Sequence, residues 1–264
     1  MANLPAGSLP SQMISAYSRI VVPLDPPFTP VTVGVQKYAC QHPGYGGGQV
    51  ERMAFKDRLL GAIGGGRGLS ANRLTASAFV GVFSGKGTID DIATCLALAA
   101  RHNIFHHRPH NLTFAESGLT LTQRLQKVAD DYIGLDCNGF VGNWAIYNAV
   151  SGASASHLPL DWIAGRRVRT TLAAIAQYDI VVWANGNHIG MIETVGALGA
   201  NATSMDVVLA ESSTGGMLVH TGSRVTFNAR AVPASRGPWQ TQFSLQNDIH
   251  GNMPVVIASM AKNH

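Results

Sequence analysis

From Tyr178 to the C-terminus the chain is written in short apolar segments: Ile180 to Trp183, Ile189 to Val195, Val207 to Leu209, Met217 to His220, Val225 to Phe227 and Val255 to Ile257. Turns rich in Gly, Asn and Ser separate them, which is the pattern of an antiparallel sheet. Only 13% of the residues are charged, and the chain holds 29 Gly and 12 Pro. That balance points to many turns and a loop-rich chain rather than a helical bundle. With 264 residues and 46% hydrophobic content, the chain can bury one domain or one and a half.

Ahead of that half the signals are more mixed. Pro23, Pro26, Pro27 and Pro30 read as an extended lead-in, and Thr32 to Tyr38 alternates as a strand. Gly64 to Gly68 lacks the Gly-Lys-Ser/Thr of a phosphate loop and reads as a flexible connector. Thr88-Ile89-Asp90-Asp91 is a capping box with Asp in the fourth place, and Ile89, Ile92, Leu96 and Ala99 follow at helical spacing. His102, His106, His107 and His110 crowd one stretch, but no Cys or carboxylate completes a metal set there; the expectation is a polar surface loop. Residues 1–110 are therefore taken as an N-terminal arm and mixed elaboration, and residues 111–264 as the functional domain.

A second helix is expected over Thr120 to Tyr132, with Leu121, Leu125, Val128 and Tyr132 on one stripe. It leads into Ile133-Gly134-Leu135-Asp136-Cys137-Asn138-Gly139-Phe140-Val141-Gly142-Asn143-Trp144. Cys137 falls at the first turn of the next helix, where unpaired backbone N–H groups and the positive end of the macrodipole favour thiolate. Of the other cysteines, Cys95 lies in an apolar helical pattern and Cys40 in a loop-like one, so no disulfide framework is indicated. His188 opens a strand after the Asn185-Gly186-Asn187 turn. A cysteine on a helix followed by a histidine on a strand is the chain order of a Cys–His hydrolase.

Asp136-Cys137-Asn138-Gly139-Phe140-Val141 resembles the Asp-Cys-Ser-Gly-Phe/Leu-Val signature of the NlpC/P60 family of cysteine peptidases. Asp179-Ile180-Val181-Val182-Trp183 with His188-Ile189-Gly190-Met191 is similar to that family's second block, and the likeness extends over residues 120–220. The resemblance implies an α+β, papain-like core: a helix bearing Cys137 packed on an antiparallel sheet bearing His188, with an N-terminal elaboration. It implies Cys137 as nucleophile and His188 as base. The third group in the family is a polar residue, commonly histidine, on the strand after the His188 strand. Here that strand reads Ala210-Glu211-Ser212, so Glu211 is expected to orient the imidazole through Nδ1, with Asp206 as the alternative. Tyr132 and Asn138 flank the nucleophile, Tyr132 as a lining or oxyanion residue and Asn138 in place of the family's serine.

The expected activity is hydrolysis of amide bonds by a thiolate, without metal or cofactor. Peptidoglycan stem peptides are the substrate the resemblance implies. A protein substrate, met by a deamidase, protease or acyltransferase, is the alternative, and a non-catalytic binding module that keeps the fold is a third reading. The N-terminus shows no cationic segment followed by an apolar one, so delivery by a non-classical route is expected, and otherwise a cytoplasmic location. An antibacterial toxin with an immunity or secretion-carrier partner fits that picture. The net charge of +4 suits an anionic polymer such as a cell wall or nucleic acid but equally describes many ordinary soluble proteins; no nucleic-acid-binding motif is recognisable, and no apolar run reaches the length of a membrane span.

Overall fold

The computed structural model describes residues 7–38, 48–108, 118–233 and 240–262. Cys40 and His110 lie outside these. The chain divides into two compact units. The first comprises residues 1–4 and 12–139, the second residues 5–11 and 140–264.

The first unit is helical with one small ribbon. Its elements are α1 (Pro10–Tyr17, whose first residues belong to the second unit), β1 (Ile20–Val22), β2 (Val31–Val33), α2 (Gln49–Ala62), α3 (Gly66–Ala71), α4 (Ala76–Phe83), α5 (Ile89–Arg101) and α6 (Leu121–Tyr132). Two helices start on complete capping boxes. Thr88 accepts from the Asp91 amide while Asp91 reaches back, and Thr120 does the same with Gln123. Each box satisfies two backbone donors that the first helical turn leaves open. The periodic faces Ile89/Ile92/Leu96/Ala99 and Leu125/Val128/Tyr132 are buried with Phe55, Leu59, Phe79 and Phe83. Gly64–Gly68, expected as a connector, is in part the start of α3.

The helix α7 (Cys137–Tyr147) follows α6, and the division between units falls inside it, after Gly139. The second unit is β: β3 (Arg166–Val168), β4 (Ile180–Trp183), β5 (Ile189–Val195), β6 (Ser204–Ser213), β7 (Gly216–Pro233), β8 (Gln240–Asn247) and β9 (Gly251–Lys262). All pairings are antiparallel, in the order β3-β9-β4-β5-β6-β7-β8, and β8 pairs again with β9. Six strands, β4 to β9, thus form a closed barrel, with β3 attached outside the ring.

This closure overturns the expected fold class. The core is not a helix packed on an open papain-like sheet but an antiparallel barrel. The reason lies in β9. Only Val255 to Ile257 stand out in the sequence, yet the strand runs over twelve residues. Its first part, Gly251 to Val255, pairs with β8, while Val255 to Ala258 pair with β4 along the opposite edge. A strand long enough to serve both neighbours leaves the ring without an edge. The interior is filled at period two by Val181 and Trp183, Ile192, Met205, Val207 and Leu209, Val225, Phe243 and Leu245, and Val255 and Ile257. β4 is buried on both faces, which is why it reads as an unbroken apolar run.

Candidate functional site

Cys137 is the first residue of α7, in the first unit, and its side chain is buried. Asp136 caps the helix: its Oδ1 accepts from the Gly139 amide at 2.5 Å, and Lys86 meets its other oxygen at 2.6 Å. Burial pushes the Asp136 carboxyl above its ordinary value, against the pull of Lys86 and of the Gly139 and Asn138 amides. The preceding backbone is pinned as well, with Leu135 N bonded to Lys37 O and Asp136 N to Gly85 O. Asn138 is buried in the first helical turn, and its Oδ1 has no hydrogen-bond partner among the described residues.

Tyr132 closes α6. Its ring stacks on Phe55 with centroids 4.2 Å apart, and its hydroxyl accepts from the His107 amide at 3.3 Å and meets His107 Nδ1 at 3.1 Å. It lines a pocket of about 460 Å³ together with Lys37, His107 and Asp130. His106 and His107 stack on each other at 4.3 Å, and Arg58 binds the carbonyls of His106 and Arg108 at 2.5 Å. Cys95 is a buried thiol whose pKa burial raises strongly, which removes it as a nucleophile.

In the second unit His188, His220 and His250 gather around Glu211. His188 precedes β5, held by its carbonyl to the Trp183 amide. Glu211 lies on β6 two residues beyond Leu209, so its side chain shares Leu209's interior-facing side of the strand, and it is fully buried. His188 Nε2 stands 3.0 Å from Glu211 Oε2. His220, directly across the ladder from Leu209, brings Nε2 to 3.1 Å from Glu211 Oε1, and His250, one residue before β9, brings Nε2 to 2.8 Å from the same oxygen. Asp248 Oδ1 meets His220 Nδ1 at 2.5 Å. The rings of His188 and His250 are 4.8 Å apart, and both turn toward Trp183, at 4.6 and 4.9 Å.

The electrostatics follow from this crowding. Burial opposes ionisation of Glu211, but the hydrogen bonds from His188, His220 and His250 outweigh it and hold the carboxyl far below its ordinary value. The Glu211 hydrogen bond, with Asp248 adding to it, raises the His220 pKa. An ionised carboxylate can only accept, so each Nε2 facing it carries a proton. In neutral His188 the lone pair is then on Nδ1. The bond to Glu211 therefore runs through Nε2, not Nδ1 as expected from the sequence. Asp206, the alternative orienter, is on the exposed start of β6 and pairs with Arg224 at 2.7 Å. One imidazole nitrogen each from His188 and His250 and one Glu211 oxygen lie within 4.8 Å of one another, a donor set that could hold a metal ion.

His220 and His250 escape a reading of the sequence because their role depends on register. The only local hint is Glu211 itself, a lone carboxylate continuing an apolar strand. Three arginines, Arg166, Arg167 and Arg169, precede β4, and two of them are structural. Arg166 is buried over the Trp162 ring and bonds Met260 O, and Arg169 grips Asp179 with two bonds of 2.8 and 2.7 Å. No helix among the described residues is long and apolar enough to cross a membrane. No protein-family model matches this chain, and no curated protein or solved structure matches it.

Proposed function

We propose that this protein is a cysteine hydrolase of amide bonds in which Cys137 is the nucleophile, His188 the base and Glu211 the group that orients the base. The observation that carries the reading is the His188–Glu211 hydrogen bond at 3.0 Å from a fully buried, ionised carboxylate. A carboxylate so placed fixes the Nε2–H tautomer, leaves Nδ1 to accept a proton, and stabilises the imidazolium that results. The Cys137 thiol passes its proton to Nδ1 and the thiolate attacks the amide carbonyl. The tetrahedral oxyanion takes a hydrogen bond from the Cys137 amide, in the first turn of α7. The Nδ1 proton goes to the leaving amine, and water, deprotonated by the same nitrogen, releases the acyl group.

Peptidoglycan stem peptides are the proposed substrate, supported by the likeness of the Asp136–Val141 and His188–Met191 segments to the NlpC/P60 signatures. Digestion of purified muropeptides, read by mass, should give amide cleavage with the wild type and none with Cys137→Ala. Intact muropeptides in both reactions would reject the substrate. Glu211→Gln should slow cleavage by about 10²–10⁴-fold, the range expected when a base loses its orienting carboxylate. Independently of substrate, iodoacetamide should alkylate Cys137 rapidly near neutral pH in the wild type and slowly in His188→Ala. Equal rates in the two proteins would remove His188 as the base.

A further inference from the structure

A base needs one orienting carboxylate, and Glu211 meets that need through His188 alone. Nothing in the proposed hydrolysis uses His250, although its Nε2 lies 2.8 Å from Glu211 Oε1. We infer that His188, Glu211 and His250 form a binding site for a divalent transition ion of the zinc class, and that ion binding there switches off the base.

The donor set fits that class. Two imidazole nitrogens and one carboxylate suit zinc and its neighbours, whereas calcium and magnesium take oxygen ligands. A tetrahedral ion with bonds of about 2.1 Å places its donors roughly 3–4 Å apart. His188 Nε2 lies 3.0 Å from Glu211 Oε2 and His250 Nε2 lies 2.8 Å from the other oxygen, Oε1, and one donor atom from each of the three residues lies within 4.8 Å of the other two. Small rotations of the two partly exposed rings close the remaining gap. Glu211 is fully buried, while the side chains of His188 and His250 are 13% and 23% exposed, so the fourth position can go to water. His220 completes the arrangement as an outer partner, bonding Glu211 Oε1 on one side and Asp248 on the other.

The consequence for catalysis follows from proton placement and rests on the hydrolase reading. A metal takes the lone pair of Nε2. The Nε2 proton of neutral His188 must then leave that nitrogen, and the ring carries its proton on Nδ1 instead. Nδ1 no longer accepts the thiol proton. The ion and the thiol chemistry exclude one another, and the metal-free protein is the hydrolase.

The test begins with Cys137→Ala, which cannot bind through its thiolate and need not be active. Titration of this full-length variant with Co²⁺ should give visible d–d absorption saturating at one equivalent and displaced by Zn²⁺. His250→Ala in the same background should weaken Co²⁺ binding by at least about 100-fold, as Glu211→Gln should. His250→Gln serves if the alanine variant does not fold. In protein with the native cysteine, Zn²⁺ should slow iodoacetamide alkylation of Cys137 by at least about 10-fold, read by peptide mass, and the slowing should vanish in His250→Ala. No Co²⁺ binding in Cys137→Ala, or equal affinity in the His250 variants, overturns the site. Binding without any slowing overturns the switch. A wild-type Cys137 that alkylates slowly without metal sinks the hydrolase reading instead, and the Co²⁺ titration still decides the site.

Discussion

A Cβ on Gly139 would stand 1.9 Å from the Gly85 carbonyl oxygen and 3.0 Å from Asp136 Oδ1. The clash is with backbone, so no rotamer relieves it. The glycine of the Cys137 signature is therefore required by packing around the N-terminus of α7, whatever the chemistry. Gly142 is as tight, with Ala155 Cα 2.3 Å from its ideal Cβ. Gly139→Ala and Gly142→Ala should each destabilise by at least about 3 kcal/mol in urea unfolding. Gly199, with nothing within 4 Å, is the control and should shift by no more than about 0.5 kcal/mol on change to Ala. Tyr132 separates two contributions in the same way. Tyr132→Phe keeps the ring contacts with Phe55 and His107 and loses the hydroxyl's hydrogen bonds to His107, an expected cost of about 1 kcal/mol. Tyr132→Ala empties a buried ring site and should cost about 3–5 kcal/mol by the same measurement.

At the scale of the element, helix starts explain much of the first unit. Thr88→Ala or Thr120→Ala removes an N-cap oxygen and should cost about 1 kcal/mol each, seen as a lower urea midpoint. At the other end of α5, Arg101 binds Asp25 through Nε at 2.6 Å and Nη2 at 2.9 Å, and Asn72 Oδ1 through Nη1. The Arg101 hydrogen bond holds the Asp25 carboxyl below its ordinary value. The unfolded chain therefore binds that proton more readily than the native one. The stabilisation is present above the ordinary carboxylate value and is lost as pH falls through the lowered native value. Asp25→Asn should flatten the acid limb of stability below the ordinary carboxylate range, and the difference should shrink with added salt because the pair is exposed. An unchanged acid limb would mean that the pair does not form in solution.

At the scale of the molecule, the second unit depends on ring closure. The β8–β9 and β9–β4 ladders join the end of the chain to β4, so the interior cannot be completed until the last strand is in place. Phe243 on β8 is buried in that interior beside Phe227, with ring centroids 5.9 Å apart. Phe243→Ala should cost about 3–5 kcal/mol in denaturant unfolding of the second unit. The His188–Glu211–His250 cluster shares this dependence. Its three residues come from the start of β5, the end of β6 and the turn into β9, and only closure gathers them.

The features that the chain announces on its own are local. Thr88 and Thr120 with their partners three residues on define two helix starts, and the apolar periods set the buried faces of α5 and α6. The position of Cys137 at the head of α7 and the strands from Ile180 onward were legible for the same reason: each signal is carried within one element. The rest is a matter of register and closure. Which strand β9 pairs with, which nitrogen of His188 meets Glu211, and the arrival of His220 and His250 at that carboxylate all join residues far apart in the chain. A period of two says which side of a strand is buried, but not what stands across from it. Tertiary structure decided that, because a strand's neighbour is chosen by the packing of the whole barrel interior rather than by the strand's own residues.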